Sequence, residues 1–88
     1  MVEQRVRVVN VLGLHARAAA RFVELAGRFK SRITVARGER STDGKSILGL
    51  LLLAGARGTE LRIGADGPDE QDALASLAGL VARGFEDP

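Results

Sequence analysis

The apolar residues of this chain repeat with two different periods, and the period switches several times along the sequence. Arg5 to Val11 begins in strict alternation and then turns apolar, with the β-branched enrichment of a strand. Asn10 and Gly13 mark a turn. From Ala16 the step becomes three and four. Ala19, Phe22, Val23, Ala26 and Phe29 fall on one side, with Arg17, Arg21, Glu24 and Arg28 on the other. That spacing predicts an amphipathic helix of about three turns, with Gly27 weakening its end.

The switch then repeats. Ile33-Thr34-Val35 reads as a short strand, Arg37-Gly38-Glu39 as a turn and Arg40-Ser41-Thr42 as its partner, ended by Asp43-Gly44. Ser46 stands where an N-cap belongs, before a helix from Ile47 to Ala54 that Gly55 closes. Thr59 to Ile63 alternates as a last strand. Pro68 suits the first position of a final helix, Asp69, Glu70 and Asp72 complement its positive end, and Leu74, Leu77, Ala78 and Val81 form its apolar stripe. The order is βαββαβα. Alternating strands leave one sheet face wet, so the expected fold is a two-layer α+β open-faced sandwich with a largely antiparallel sheet.

Length and composition narrow the functional classes. Eighty-eight residues make a single domain, 1–88, with 45% hydrophobic and 27% charged residues. With no Cys and a single His, disulfides, thiolate nucleophiles and the usual zinc sites are excluded; no metal and no cofactor are expected. Three Phe, with no Trp or Tyr, build no platform for stacking bases. The Met1-Val2-Glu3-Gln4 start does not read as a signal peptide, and no apolar run approaches a membrane span. A cytoplasmic protein without membrane insertion is expected. Residues 1–45 carry ten basic and four acidic side chains, whereas residues 46–88 carry three and seven. Eleven of the thirteen cations are Arg, a side chain suited to phosphate, although base composition alone could raise their number. The segregation suggests a basic face for an acidic partner.

His15 lies between a glycine turn and the first turn of the amphipathic helix. A helix start presents unpaired N–H groups and partial positive charge, so it binds anions, phosphate included. The same field favours a neutral, nucleophilic ring over imidazolium. Arg17, two residues on, can add a cationic donor to a phosphoryl group on that ring. The competing reading is a histidine that only caps the helix.

Gly13-Leu14-His15-Ala16-Arg17 resembles the active-site motif of HPr, the histidine-containing phosphocarrier family of the bacterial phosphotransferase system. Gly44-Lys45-Ser46-Ile47-Leu48-Gly49, with Leu51 and Ala54, resembles the family's regulatory serine segment. Gly58-Thr59 and Asp69-Glu70-Gln71 also fit, so the resemblance spans the chain. It implies the HPr-like fold, a four-stranded antiparallel sheet covered on one face by three helices. It implies that His15 is phosphorylated on Nδ1 by enzyme I at the expense of phosphoenolpyruvate, with Arg17 as phosphate partner, and that the group passes to an enzyme IIA domain. It further implies that HPr kinase/phosphorylase modifies Ser46. The chain would thus be a phosphoryl carrier rather than an enzyme, serving sugar transport, and the expected state is a monomer. One departure stands out: Ala18 occupies the position where the family usually has Pro.

The short second helix is apolar nearly all round. Leu50 and Leu53 suit the core, leaving Ile47, Leu48 and Leu51 for an exposed patch. By resemblance this patch, with Ala16, Ala20, Arg17 and Arg21, meets the partner enzymes. Among other readings, Gly55-Ala56-Arg57-Gly58 has the GxxG form of an RNA clamp, but it leads into a strand instead of joining two helices, so no nucleic-acid partner is expected. A self-hydrolysing phosphatase would need a carboxylate to activate water, and none stands near His15 in sequence. A related carrier serving a nitrogen-linked or regulatory phosphorelay shares all these features.

Overall fold

In the computed structural model, which describes residues 1–86, four strands form one sheet. They are β1 (Val2–Arg7), β2 (Arg32–Arg37), β3 (Arg40–Asp43) and β4 (Glu60–Asp66), in the spatial order β1-β4-β2-β3. All neighbours are antiparallel. Val6 faces Leu61, Ile33 faces Ala65 and Val35 faces Ile63. The alternation seen in the sequence sends Ile33, Val35, Leu61, Ile63 and Ala65 to the covered face, where they are buried. The helices are α1 (Ala16–Ala26), α2 (Ile47–Leu53) and α3 (Glu70–Ala82), followed by a single turn of 3₁₀ helix at Gly84–Glu86. Element order and sheet direction match the βαββαβα expectation.

Phe22, Leu50, Leu77 and Phe85 are the large side chains that fill the space between helices and sheet. Complete burial of such a side chain stabilises the fold by about 1.5–3 kcal/mol. On α1 the buried stripe is Ala18, Ala19, Phe22 and Ala26, with Val23 half-buried at its margin; Phe29, expected on the same stripe, lies beyond the helix end and is half-buried there. Three alanines on that stripe let α1 pack closely beside α2 and α3.

Most element boundaries differ from the sequence reading by a few residues, and three of the differences matter for the connections. The first strand runs from Val2 to Arg7 rather than from Arg5 to Val11. Beyond Arg7 only Val8 continues the pairing, exchanging backbone bonds with Thr59 and Gly58 at 2.9 and 2.7 Å; Val9 and Val11 then turn outward. β4 begins only at Glu60, opposite Arg7, so the β-branched residues beyond have no partner strand. The second difference is the end of α2. The left-handed residue is Ala54 (φ 58°), one position before Gly55, and this early turn leaves the Gly55 carbonyl to accept the Leu14 N–H at 2.8 Å.

The third difference is the start of α3. Pro68 lies before the helix, and Asp69 (φ −116°) holds the cap position. Its carboxylate reaches out of the helix altogether. Oδ1 accepts from the Ser31 N–H and hydroxyl at 2.9 and 2.5 Å, and Oδ2 from the Lys30 N–H at 2.8 Å. This fastens the segment before β2 to α3. The Ser31 hydroxyl first, then the Lys30 N–H, hold the Asp69 carboxyl at about 2, well below its ordinary 3.8.

Candidate functional site

The site is built on a turn that only glycine fills well. Gly13 has φ +66°, and a Cβ there would lie 2.5 Å from the Gly55 carbonyl oxygen and 3.0 Å from Ala56 Cα. The turn is closed by the Gly13 N–H donating to the Asn10 carbonyl (3.2 Å) and by Asn10 Nδ2 donating to the Gly13 carbonyl (2.8 Å). Leu14 is buried beneath it, so the turn is pinned from below as well as along its length.

His15 follows as the N-cap of α1, with extended backbone (φ −84°, ψ −179°). Its carbonyl accepts from Ala19 N–H at 2.8 Å and starts the helix. The imidazole itself makes no capping bond to the helix it begins, and it is half-exposed. Helix geometry leaves the first N–H groups of α1 without intrahelical acceptors, beside that ring. A half-exposed nucleophile at a positive helix end suits reversible attachment of an anionic group.

The other residues singled out from the sequence distribute as follows. Arg17 is exposed on the first turn of α1, with Ala16 and Ala20 exposed on the same helix, whereas Ala18 is fully buried. Arg21 is half-buried, and its guanidinium donates to the Phe85 carbonyl at 2.7 Å, so it fastens the Gly84–Glu86 turn onto α1. Glu24 and Arg28 form an i,i+4 pair at 3.7 Å.

Ser46 is the N-cap of α2 by geometry: its Oγ accepts the Gly49 N–H at 3.0 Å. Leu50 and Leu53 are buried, and Ile47, Leu48 and Leu51 are exposed at 43%, 66% and 37%. α1 and α2 pack on each other, which puts these three residues on the neighbour of the helix carrying Ala16 and Ala20. Lys45, beside the serine, is turned away, and its ammonium donates to the Phe29 carbonyl at 2.8 Å.

Some surface features were missed in the sequence. Val9, Val11 and Leu12 on the His15 loop and Leu52 on α2 are all exposed. Expecting a strand through Val11 hid Val9 and Val11. The GxxG segment Gly55–Gly58 connects α2 to β4 and braces the His15 turn, which is no clamp between two helices. Among the described residues no helix is long and apolar enough to cross a membrane.

Fold and site together define a small open-faced sandwich that presents one histidine at the start of its first helix. Residues 2–83 match the family model described as the PTS HPr component phosphorylation site. The chain is 42% identical over 85 residues to the phosphocarrier protein HPr of Cupriavidus necator, covering 97% of this chain and 96% of that one. Among solved structures it is similar to HPr of Thermoanaerobacter tengcongensis, with a TM-score of 0.95 at 35% identity over 100% of this chain and 99% of the other. It is also similar to the Bacillus subtilis catabolite-repression protein Crh, with a TM-score of 0.78 at 44% identity over 96% and 97% of the two chains; that structure is described as a swapped dimer. This chain belongs to the HPr family of phosphocarrier proteins of the phosphotransferase system.

Proposed function

We propose that the chain accepts a phosphoryl group on Nδ1 of His15 from phospho-enzyme I, charged by phosphoenolpyruvate, and passes it to an enzyme IIA domain. The observation that carries this reading is the placement of His15: a half-exposed ring that makes no capping bond, on a turn pinned at Gly13, beside the N–H groups of α1. In the transfer, the Nδ1 lone pair attacks phosphorus in line with the donor nitrogen. The new N–P bond forms as the donor's N–P bond breaks, and the donor ring keeps the electron pair. Such a transfer needs positioning and charge stabilisation more than added chemistry. The helix N–H groups and the Arg17 guanidinium supply them.

Ser46 is the regulatory position in this reading, modified by HPr kinase/phosphorylase. A phosphate on an N-cap complements the helix start, so it adds charge beside Ile47, Leu48 and Leu51 without unfolding α2. The exposed Ala16, Ala20, Ile47, Leu48 and Leu51, with Arg17 and Arg21, form the docking surface for the partner enzymes. The whole relay takes place in the cytoplasm, with the chain acting as a monomer. Reconstitution tests the reading: with enzyme I, phosphoenolpyruvate and a sugar-specific IIA domain, label should pass through this chain to IIA. Label that reaches the chain and never leaves it for IIA would contradict the carrier role in sugar uptake.

A further inference from the structure

Asn10 is the one buried side chain among the described residues that carries a polar atom without a hydrogen-bond partner, and it lies on the His15 loop. Its side chain is almost completely enclosed, with 3% of the residue exposed. Nδ2 donates to the Gly13 carbonyl at 2.8 Å, while Oδ1 meets no donor. The orientation is set by chemistry. Turning the amide over would place Oδ1 against the Gly13 carbonyl oxygen and lose the bond, so the orphaned oxygen follows from keeping the turn closed. Burying an amide with half its capacity unused is unfavourable, and alanine would fill this place without that cost.

The neighbours of Asn10 indicate what the amide is retained for. On one side its Nδ2 and its backbone carbonyl both bond to Gly13, two residues before His15. On the other, Gly84 packs against it so closely that a Cβ there would lie 3.3 Å from Asn10 Cβ. Gly84 begins the turn whose Phe85 carbonyl receives the Arg21 guanidinium of α1. Asn10 therefore sits between the histidine's own turn and the terminal turn clamped to the histidine's helix. It contacts both segments that set where α1 and its N-cap stand.

We infer that Asn10 is a positioning residue for His15: its amide locks the Asn10–Gly13 turn and thereby fixes the ring's placement for phosphoryl transfer. It touches no phosphoryl group and takes no part in docking, since it is buried. The inference rests on His15 being the acceptor, as proposed above.

Kinetics of phosphorylation by enzyme I, with Asn10→Ala and Asn10→Leu, test it. Leu keeps nearly the shape and loses the donor, so a pure packing role predicts that Leu behaves as Asn does. Both variants should lower kcat roughly ten- to hundredfold with KM for the chain little changed, because the reacting atom is displaced while the docking surface is intact. The His15 ring resonances should also shift or broaden in both variants. Unchanged kcat in either folded variant, whatever its melting temperature, would overturn the inference. Should neither variant fold, the parent chain decides: the Asn10 side-chain amide protons should exchange slowly with solvent, and fast exchange would show that the lock does not exist. If the parent is not phosphorylated on His15, the proposed function fails first. The ring resonances would then still report whether Asn10 positions His15, with unchanged resonances in folded variants counting against it.

Discussion

The backbone N–H of Leu14 donates to the Gly55 carbonyl at 2.8 Å, bonding the loop that ends in His15 to the loop that leaves α2. The two functional segments read from the sequence, around His15 and after Ser46, are thus one connected piece of backbone. Gly13 lies at the closest approach between them.

Gly13→Ala should therefore damage stability and transfer together. A left-handed alanine costs roughly 1–2 kcal/mol, and the contact with the Gly55 carbonyl adds to it because backbone on both sides must move. Chemical denaturation should show a loss of at least about 2 kcal/mol, accompanied by slower phosphorylation. A loss near zero would mean that the two loops are not held together.

Arg17 lies exposed on the first turn of α1, so Arg17→Ala should leave the fold intact. A charge-assisted contact made only during transfer is worth about 1.5–3 kcal/mol, which corresponds to roughly a ten- to hundredfold slower transfer. Stopped-flow or quenched labelling measures this directly. An unchanged rate would remove Arg17 from the account of the site.

The layers, the helix stripes and the placement of His15 and Ser46 were legible because each rests on local pattern: period, cap chemistry and glycine turns. What was not legible depended on distant partners. Val9 and Val11 have strand character, yet β4 begins at Glu60, opposite Arg7, and offers them no partner. Asp69 has the chemistry of a helix cap, but its carboxylate is drawn to Lys30 and Ser31, nearly forty residues earlier, and Pro68 is left outside the helix. The bond from Asn10 Nδ2 to the Gly13 carbonyl is short-range, and an Asn three residues before a Gly did signal a turn. Its buried, half-satisfied amide became visible only once Gly84 was packed against it.

Ser46 contributes a measurable cap. Ser46→Ala removes the acceptor for Gly49 N–H and should lower stability by about 1 kcal/mol, whereas Ser46→Asp retains an acceptor and should keep or slightly raise the melting temperature. Ser46→Asp should also slow phosphorylation of His15 by enzyme I, and added salt should relieve part of that inhibition. Normal kinetics across a salt series would leave Ser46 as a cap alone.

Asp69 gives the fold an acid-sensitive link. Its carboxyl titrates lower in the folded chain, about 2, than its ordinary 3.8, so its contribution is fully present above the higher value and is lost as pH falls toward the lower. Unfolding of the parent chain should become steeply pH-dependent between roughly pH 4 and 2, and Asp69→Asn should flatten that dependence. Equal pH profiles for the two chains would show that the bonds to Ser31 and Lys30 do not stabilise the carboxylate.

The central claim is that His15 carries the phosphoryl group. The most direct measurement is intact mass after incubation with enzyme I and phosphoenolpyruvate, with nitrogen-15 spectra of the product ring. The account predicts one added phosphate, labile in acid and stable in alkali, with the Nδ1 resonance displaced. His15→Ala, still folded, should gain none. Phosphate that persists in folded His15→Ala, or a parent chain that takes up none, would contradict it.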